Sequence, residues 1–302
     1  MKKVLITGAL GQNGKILSKL YLKKGFRVFG FIKKKEKKKI KGVTYIIENL
    51  KKKKKIFKNL KKINPDIVIH LASINKTYSK RLVDKNFYNN YYLNLKITKN
   101  LVDSINILNL KPKFIFAGSS LMFKNSKKGI VSEKDPFKAN DYYSKYKKNA
   151  FEYIKKKFED RLSATTVLLF NHDSIHRKAS FLIPKLVNAF KKNDVKFIKK
   201  ICALNISGDF SHADDICMGI YKVSLLNKNI EKIILSSGKR FYINDLIKFL
   251  GKKFFLNIDK NEKNNKKNYK TIGSNSLARK IINYKPKKTL IDVCAEILHF
   301  PN

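Results

Sequence analysis

The chain has 302 residues, 43% of them hydrophobic, and its 68 Lys and Arg against 22 Asp and Glu give a formal net charge of +46. That hydrophobic fraction is typical of a globular protein, so a disordered chain is excluded. The length suits one large α/β domain or a nucleotide-binding domain with a small second part. Nearly all of the positive charge is lysine spread through every segment, which indicates solvated lysine faces and no specific nucleic-acid partner.

The cysteines and the hydropathy pattern bear on the compartment. Cys202, Cys217 and Cys294 are odd in number and lack metal-ligand spacing, which favours a reducing compartment and predicts no metal site. The sequence has no signal peptide and no apolar stretch of about 18 residues. We therefore expect a cytoplasmic protein with no membrane partner.

The first predicted elements are a strand, a glycine turn and a helix, beginning with KVLITGALGQNG over Lys3–Gly14. A turn without Cβ atoms lets the backbone approach a pyrophosphate, and the N–H groups at a helix start attract it. The alternative is a glycine turn that closes a strand-helix junction with no ligand. The predicted cofactor residues of this turn are Gly8, Gly11, Gln12, Asn13 and Gly14.

Two further strands are predicted to lie at the adenosine end of a cofactor. The second, Arg27–Ile32, ends about 20 residues after the glycine turn, where an acid binds the ribose of NAD. Lys33 follows instead, and lysine attracts the 2′-phosphate of NADP, so NADP is favoured and NAD is the alternative. After the third strand, Thr44–Ile47, we place Asn49 and Leu50 at the adenine.

The fourth predicted strand lies within Asp66–Ser73, DIVIHLAS. His70 in this apolar run is predicted to be a core residue. The small residues at the strand exit suit a backbone that passes close to a cofactor, so Leu71 and Ala72 are predicted cofactor contacts. A largely helical pattern follows over residues 90–108.

A hydroxyl pair and a Tyr-Lys pair follow the fifth predicted strand. Phe114–Gly118 runs into Ser119 and Ser120, at the strand end where parallel sheets bind ligands. Tyr143 and Lys147 are four residues apart, on one face of a predicted helix. A nearby ammonium favours a phenolate, so this pair is suited to exchanging a proton with a substrate hydroxyl.

In this order and at these distances, the motifs resemble those of the extended short-chain dehydrogenases/reductases, which are NAD(P)-dependent nucleotide-sugar epimerases and dehydratases. Within that superfamily the chain is most similar to the GDP-mannose 4,6-dehydratase family. The segments that carry the resemblance are ITGALGQNGKIL, FIFAGSSLMF, SEKDPFKANDYYSKYKKNAFEYI, LLFNHDSIHRKASFLIPKLV, GDFSHADDICMGIY and IGSNSLARKIINYKP.

This resemblance implies an α/β fold, a Rossmann doubly wound parallel sheet with a smaller C-terminal substrate-binding part. Residues 1–170 would form the NAD(P)-binding domain. Residues 171–302 would mainly bind substrate, with some segments returning to the Rossmann core. The implied partner is a nucleoside-diphosphate sugar, GDP-linked, and the implied assembly is a homodimer or homotetramer.

The resemblance also implies roles for individual residues. Ser119 and Tyr143 would act on the 4-hydroxyl of the sugar, with Ser120 at the same substrate site. Lys147 would bind the nicotinamide ribose as well as serve catalysis. Asn171 would bind the substrate, and Arg177 would bind a phosphate of the cofactor or of the substrate.

Two positions depart from the family pattern. Leu121 stands where the dehydratases carry the glutamate that removes the C-5 proton, and leucine cannot take a proton. Gly208 stands where relatives place an arginine that binds the substrate diphosphate. The alternatives to a dehydratase are therefore a 4-keto-sugar reductase or epimerase, and a catalytically silent paralogue that binds nucleotide.

Overall fold

The computed structural model describes residues 1–36, 39–74, 87–123, 129–159, 163–256, 258, 268–269 and 271–299. The chain divides into two compact units. The first comprises Met1–Lys124, Pro136–Leu169 and Cys217–Ile233, and the second comprises Asn125–Asp135, Phe170–Ile216 and Ile234–Asn302. The first unit thus includes a segment from beyond residue 170. No helix among the described residues is both long and apolar enough to cross a lipid bilayer.

Most of the strands are short. They are β1 (Lys3–Thr7), β2 (Arg27–Ile32), β3 (Val43–Ile47), β4 (Ile67–His70), β5 (Lys113–Ala117), β6 (Ile130–Val131), β7 (Ala164–Leu169), β8 (Asn171–Asp173), β9 (Ile206–Gly208), β10 (Phe210–His212), β11 (Lys232–Leu235), β12 (Phe241–Tyr242), β13 (Asn268–Tyr269) and β14 (Ile272–Gly273).

The helices alternate with the main strands in the first half of the chain. They are α1 (Gln12–Lys23), α2 (Lys53–Ile63), α3 (Phe87–Ile107), α4 (Tyr142–Phe158), α5 (Leu182–Lys191), α6 (Val195–Ala203), α7 (Ala213–Ser224), α8 (Ile243–Lys253), α9 (Ser276–Ile282) and α10 (Leu290–His299).

The main sheet has seven strands in the order β11-β7-β5-β4-β1-β2-β3. The strands from β3 to β7 pair in parallel along this order. The strand order reverses between β1 and β4, and ligands bind at the carboxyl ends of the strands at such a switch point. The predicted Rossmann doubly wound sheet is confirmed.

The central strands are buried along most of their length and are mainly apolar, because helices cover both faces of a doubly wound sheet. All four residues of β4 are buried, as are the last four of both β1 and β5. In the first unit this core also includes the apolar faces of α2, α3 and α4. The sheet therefore holds the strand ends that carry the candidate site rigidly.

The second unit has a core of its own. It is formed by the buried faces of α5, α6, α8 and α10 together with Phe210 of β10. The small sheets of this unit pair β10 with β8, β12 and β13 with β9, and β14 with β6.

Candidate active site

The glycine turn after β1 is held so closely against the exit of β4 that side chains are excluded. Gly8 has φ +71°, and a Cβ on it would lie 3.1 Å from both the Cα and the N of Ala72. A Cβ on Gly14 would lie 2.7 Å from the Cα of Ala9. The Gly11 N–H donates to the Gly8 carbonyl at 2.9 Å, which closes the turn. The backbone of this turn is thus exposed for the close approach that a dinucleotide pyrophosphate needs.

Helix α1 begins at this turn without a side-chain cap. Its N-cap is Gly11, and no acidic residue lies in its first turn. Uncapped N–H groups and the helix dipole attract an anion. Gln12 and Asn13, both predicted cofactor residues, occupy this first turn, and Gln12 Nε2 donates to Asn13 Oδ1 at 3.4 Å. The residues present fit a bound dinucleotide.

The predicted adenosine residues follow the ends of β2, β3 and β4. Lys33 is exposed directly after β2. Asn49 is exposed, and its Oδ1 accepts a hydrogen bond from Lys51 N at 3.1 Å, while Leu50 is buried. Leu71 and Ala72 leave β4 half-buried. These residues lie at the same edge of the sheet as the glycine turn, since parallel strands end together.

The hydroxyl pair forms a turn at the end of β5. Ser119 is buried, and its Oγ accepts a hydrogen bond from Leu121 N at 3.2 Å as the N-cap of a 3₁₀ turn over Ser120–Met122. Leu121 keeps 39% of its surface exposed. The position at which the resemblance implies a proton-abstracting glutamate in the dehydratases therefore presents an alkyl side chain to solvent here.

Helix α4 brings Lys147 to the same strand end. A capping box between Asp141 and Ser144 fixes where the helix begins, and this places Lys147 one turn beyond Tyr143. Lys147 Nζ donates to the Ala117 carbonyl at 2.6 Å, two residues before Ser119. It also lies 5.6 Å from the centre of the Tyr143 ring. The fold therefore gathers the serine, tyrosine and lysine of the prediction around the end of β5.

The Lys147 ammonium is unusually enclosed. Lys147 is 3% exposed, and its Nζ lies 4.8 and 5.0 Å from the ring centres of Phe116 and Tyr146. Burial lowers the pKa of Lys147 to about 7, because an ammonium loses hydration in the interior. A lysine with such a pKa can hold or release a proton near neutral pH, which suits a proton relay.

Two predicted residues lie in the second unit. Asn171 Nδ2 donates to the Asp209 carbonyl at 3.1 Å across the β8–β10 pair. The Arg177 guanidinium carbon lies 3.8 Å from the centre of the Phe181 ring, and its Nε is 2.9 Å from Asp173 Oδ1. The ring contact and the ion pair fix the position of this guanidinium, whose planar shape suits a phosphate.

The strand that ends at Gly208 also carries a guanidinium contact. Arg240, next to β12, donates from Nη1 to Ser207 Oγ at 3.1 Å, and β12 pairs Phe241 with Gly208. Arg240, the residue before β12, thus lies beside Gly208, where the resemblance implies an arginine in relatives. The sequence did not single out Arg240, because the pairing of β12 with β9 joins segments more than 30 residues apart.

Asp209 is a second residue that the sequence did not mark as important. Its buried carboxylate accepts hydrogen bonds from Ser237 N and Oγ at 2.8 and 2.7 Å, from Gly238 N at 3.0 Å and from Gly273 N at 3.3 Å. Burial raises the pKa of Asp209, and these donors oppose the rise. Asp209 joins three segments of the second unit beside Asn171.

The fold and the site define a class, that of the NAD-dependent nucleotide-sugar dehydratases and epimerases. Residues 5–297 match the family model described as GDP-mannose 4,6 dehydratase, and the chain belongs to this family. This confirms the resemblance inferred from the sequence.

Among curated relatives, the chain is 29% identical over 233 residues to GDP-6-deoxy-D-talose 4-dehydrogenase of Aggregatibacter actinomycetemcomitans, covering 76% of this chain and 71% of that protein. It is 23% identical over 265 residues to GDP-mannose 4,6 dehydratase 2 of Caenorhabditis elegans, covering 81% of this chain and 68% of that protein.

Two solved structures share the fold. UDP-glucuronic acid 4-epimerase from Bacillus cereus, solved in complex with NAD, aligns with a TM-score of 0.80 at 20% identity over 99% of this chain and 100% of that one. UDP-glucose 4-epimerase from Thermotoga maritima, solved with UDP-glucose, aligns with a TM-score of 0.83 at 14% identity over 98% of this chain and 97% of that one.

Proposed function

We propose that this protein transfers a hydride between a nicotinamide cofactor and C-4 of a GDP-linked hexose, and that it works as a 4-keto-sugar reductase or 4-dehydrogenase without dehydrating its substrate. The observation that carries this proposal is Leu121, an exposed alkyl side chain at the position of the dehydratase base. A relative described as GDP-6-deoxy-D-talose 4-dehydrogenase supports the same reaction type and the GDP-linked substrate.

The chemistry rests on Ser119, Tyr143 and Lys147. The nicotinamide, when bound, supplies or accepts the hydride at C-4. In the reductive direction the Tyr143 hydroxyl gives its proton to the oxygen at C-4, and the resulting phenolate is stabilised by the Lys147 ammonium. Ser119 hydrogen-bonds the same sugar oxygen and orients it. Solvent then restores the proton to Tyr143.

We assign cofactor binding to residues of 1–170 and substrate binding mainly to 171–302. The cofactor residues are Gly8, Gly11, Gln12, Asn13, Gly14, Lys33, Asn49, Leu50, Leu71 and Ala72, with Tyr143 and Lys147 at the nicotinamide end. Exposed Lys33 supports NADP over NAD, because an ammonium attracts the 2′-phosphate. Ser119 and Ser120 contact the sugar. We further propose a cytoplasmic homodimer or homotetramer.

For the substrate diphosphate we propose Arg177 and Arg240 together with Asn171. Arg177 is held on the Phe181 ring, and Arg240 is anchored on Ser207 beside Gly208. Each guanidinium offers the planar fork that suits a phosphate. Arg240 thereby compensates for the arginine missing at Gly208.

The test supplies the purified protein with a GDP-linked 4-keto-6-deoxyhexose and NADPH, and follows nicotinamide absorbance and the sugar mass. We expect NADPH oxidation and addition of two hydrogen atoms, with turnover lost in Tyr143→Phe. In parallel, GDP-mannose with NADP should give no loss of water. Oxidation of NADPH that is unchanged in Tyr143→Phe would refute the assignment of the proton donor.

A second candidate function is dehydration of GDP-mannose, which the match to the dehydratase family model over residues 5–297 favours. Loss of one water from GDP-mannose by the wild-type protein would establish it and would require a base other than residue 121. Leu121→Glu is the matched variant, with Leu121→Gln as the control of equal size that cannot act as the base. Water loss that appears only in Leu121→Glu would support the view that the wild-type protein does not dehydrate GDP-mannose because it lacks the base at residue 121.

A further inference from the structure

A buried chain of polar groups runs through the first unit from β1 to α3 by way of His70. Thr7 and Thr98 are fully enclosed, and His70 is 1% exposed. Thr7 Oγ1 lies 2.7 Å from His70 Nδ1, and Thr98 Oγ1 lies 3.0 Å from His70 Nε2. Ala72 N donates to Thr7 Oγ1 at 3.1 Å. The sequence predicts His70 as a core residue, yet both of its ring nitrogens are hydrogen-bonded.

One assignment of the protons satisfies every bond in this chain. Thr98 Oγ1 lies 3.1 Å from the Asn94 carbonyl and 3.4 Å from the Tyr146 hydroxyl, and in this assignment the Thr98 proton goes to the Asn94 carbonyl, so that Thr98 accepts from His70. His70 therefore carries its proton on Nε2, and its Nδ1 accepts from the Thr7 hydroxyl. Thr7 in turn accepts from Ala72 N. A neutral Nε2–H imidazole satisfies every donor and acceptor in the chain.

The environment of His70 keeps the ring neutral. The ring stacks on Phe116, with centroids 5.8 Å apart and planes 28° apart, and the Lys147 ammonium lies 4.8 Å from the centre of that same Phe116 ring. Burial and the Lys147 charge lower the pKa of His70 to about 3. An imidazolium would also turn a donor toward the Thr7 hydroxyl and reverse the chain.

The Thr7 end of this chain lies at the glycine turn. Thr7 immediately precedes Gly8, and Ala72 is the residue whose backbone a Cβ on Gly8 would meet at 3.1 Å. The exit of β4 is therefore held against the turn by the bond from Ala72 N to the Thr7 hydroxyl. The bond to His70 Nδ1 at 2.7 Å favours the rotamer of Thr7 in which Oγ1 also accepts from Ala72 N.

We propose that His70 is a positioning residue for the cofactor, which through the Thr7 hydroxyl fixes the backbone of Ala72 against the glycine turn. This inference rests on the proposed nicotinamide cofactor site. The Thr98 half of the chain anchors helix α3 and has no such role. The two halves therefore differ in function although each consists of one buried hydrogen bond to the same ring.

Two variants separate the halves. In His70→Asn the amide oxygen replaces Nδ1 and keeps the bond from Thr7, whereas in His70→Gln the amide nitrogen replaces Nε2 and keeps the bond to Thr98. Each variant loses one buried hydrogen bond, so both lose stability to a similar degree. We expect the dissociation constants of NADPH and NADH, measured by nicotinamide fluorescence, to stay within about threefold in His70→Asn and to rise about tenfold in His70→Gln.

Variants of Thr7 test the same hydrogen bond from its other end. Thr7→Val should weaken cofactor binding as His70→Gln does. Thr7→Ser keeps the hydroxyl and should bind the cofactor as the wild type does. Equal cofactor affinities in His70→Asn and His70→Gln would overturn the inference. If His70 were purely structural, two variants that lose similar stability would also lose similar cofactor affinity. If the wild-type protein binds neither cofactor, the proposed function fails together with this inference.

The wild-type protein gives a test that does not depend on the folding of variants. Imidazole ¹⁵N shifts should show His70 as the neutral Nε2–H tautomer throughout about pH 5.5 to 8, a range in which an ordinary histidine titrates. An Nδ1–H tautomer, or titration in that range, would overturn the inference whatever the protein binds.

Discussion

Replacing Lys147 by methionine tests the central electrostatic feature of the site. Lys147 is 3% exposed, and burial lowers its pKa from 10.5 to about 7. At about 1.4 kcal/mol per pKa unit, this shift of about 3.5 units corresponds to a cost of about 5 kcal/mol for keeping the ammonium charged inside the protein. Methionine has a similar length and carries no charge, so Lys147→Met removes this cost along with the bond to the Ala117 carbonyl.

The consequence is a specific dependence of stability on pH. Between about pH 7 and pH 10.5 the unfolded chain keeps the Lys147 proton while the folded chain has released it. Stability rises with pH wherever the unfolded state binds more protons, here by up to about 1.4 kcal/mol per pH unit. The free energy of unfolding of the wild type minus that of Lys147→Met should therefore rise by about 3 kcal/mol from pH 7 to pH 9.5.

Urea unfolding followed by circular dichroism at half-unit steps of pH measures this difference. Lys156→Met is the matched control for the loss of a lysine, because Lys156 is an exposed lysine on the same helix. Catalytic turnover should be lost in Lys147→Met alone. A flat difference for Lys147→Met would refute the reasoning, since it would mean that the ammonium keeps its ordinary pKa in the folded protein.

Three other predictions concern the turn, the cofactor and the second unit. Gly8→Ala and Gly25→Ala both place a side chain at positive φ, at a cost in stability of about 1 kcal/mol each, but a Cβ on Gly25 meets nothing within 4 Å, whereas a Cβ on Gly8 is crowded. Cofactor titration should show binding weakened at least about tenfold in Gly8→Ala alone. Equal cofactor affinities in the two variants would contradict the crowding at Gly8. Lys33→Asp should lower the preference for NADP over NAD by about tenfold, measured as dissociation constants for both cofactors, whereas the control Lys55→Asp, at another exposed lysine, should leave it unchanged. If the ratio of the two dissociation constants does not change in Lys33→Asp, Lys33 is not part of the cofactor site. Asp209→Asn replaces a carboxylate that accepts four hydrogen bonds and should lower the free energy of unfolding, measured in urea, by about 3 kcal/mol. A loss below about 1 kcal/mol would show that these hydrogen bonds contribute little to stability.

The sequence determined the features that depend on local pattern. The apolar runs of β1, β2, β4 and β5 and the glycine spacing specify strands and a turn within a few residues, because the backbone preferences involved act over that range. The four-residue spacing of Tyr143 and Lys147 places both on one face of a helix. The family resemblance, which the match over residues 5–297 confirms, came from the order of these motifs.

Only the tertiary structure decided which distant groups meet. Lys147 contacts the Ala117 carbonyl 30 residues away, and the two ring nitrogens of His70 reach Thr7 and Thr98 on different elements. Arg177 could be matched by position, but its support by Phe181 required side-chain coordinates. These contacts affect stability strongly because a buried polar group without a hydrogen bond is costly in free energy. Burial itself results from packing between segments that are far apart in the sequence. The sequence by itself therefore determined the fold and the family and pointed to a serine, a tyrosine and a lysine as candidate catalytic residues. Only the structure showed the burial of Lys147 and the hydrogen bonds from His70 to Thr7 and Thr98, because both depend on what surrounds a side chain in space.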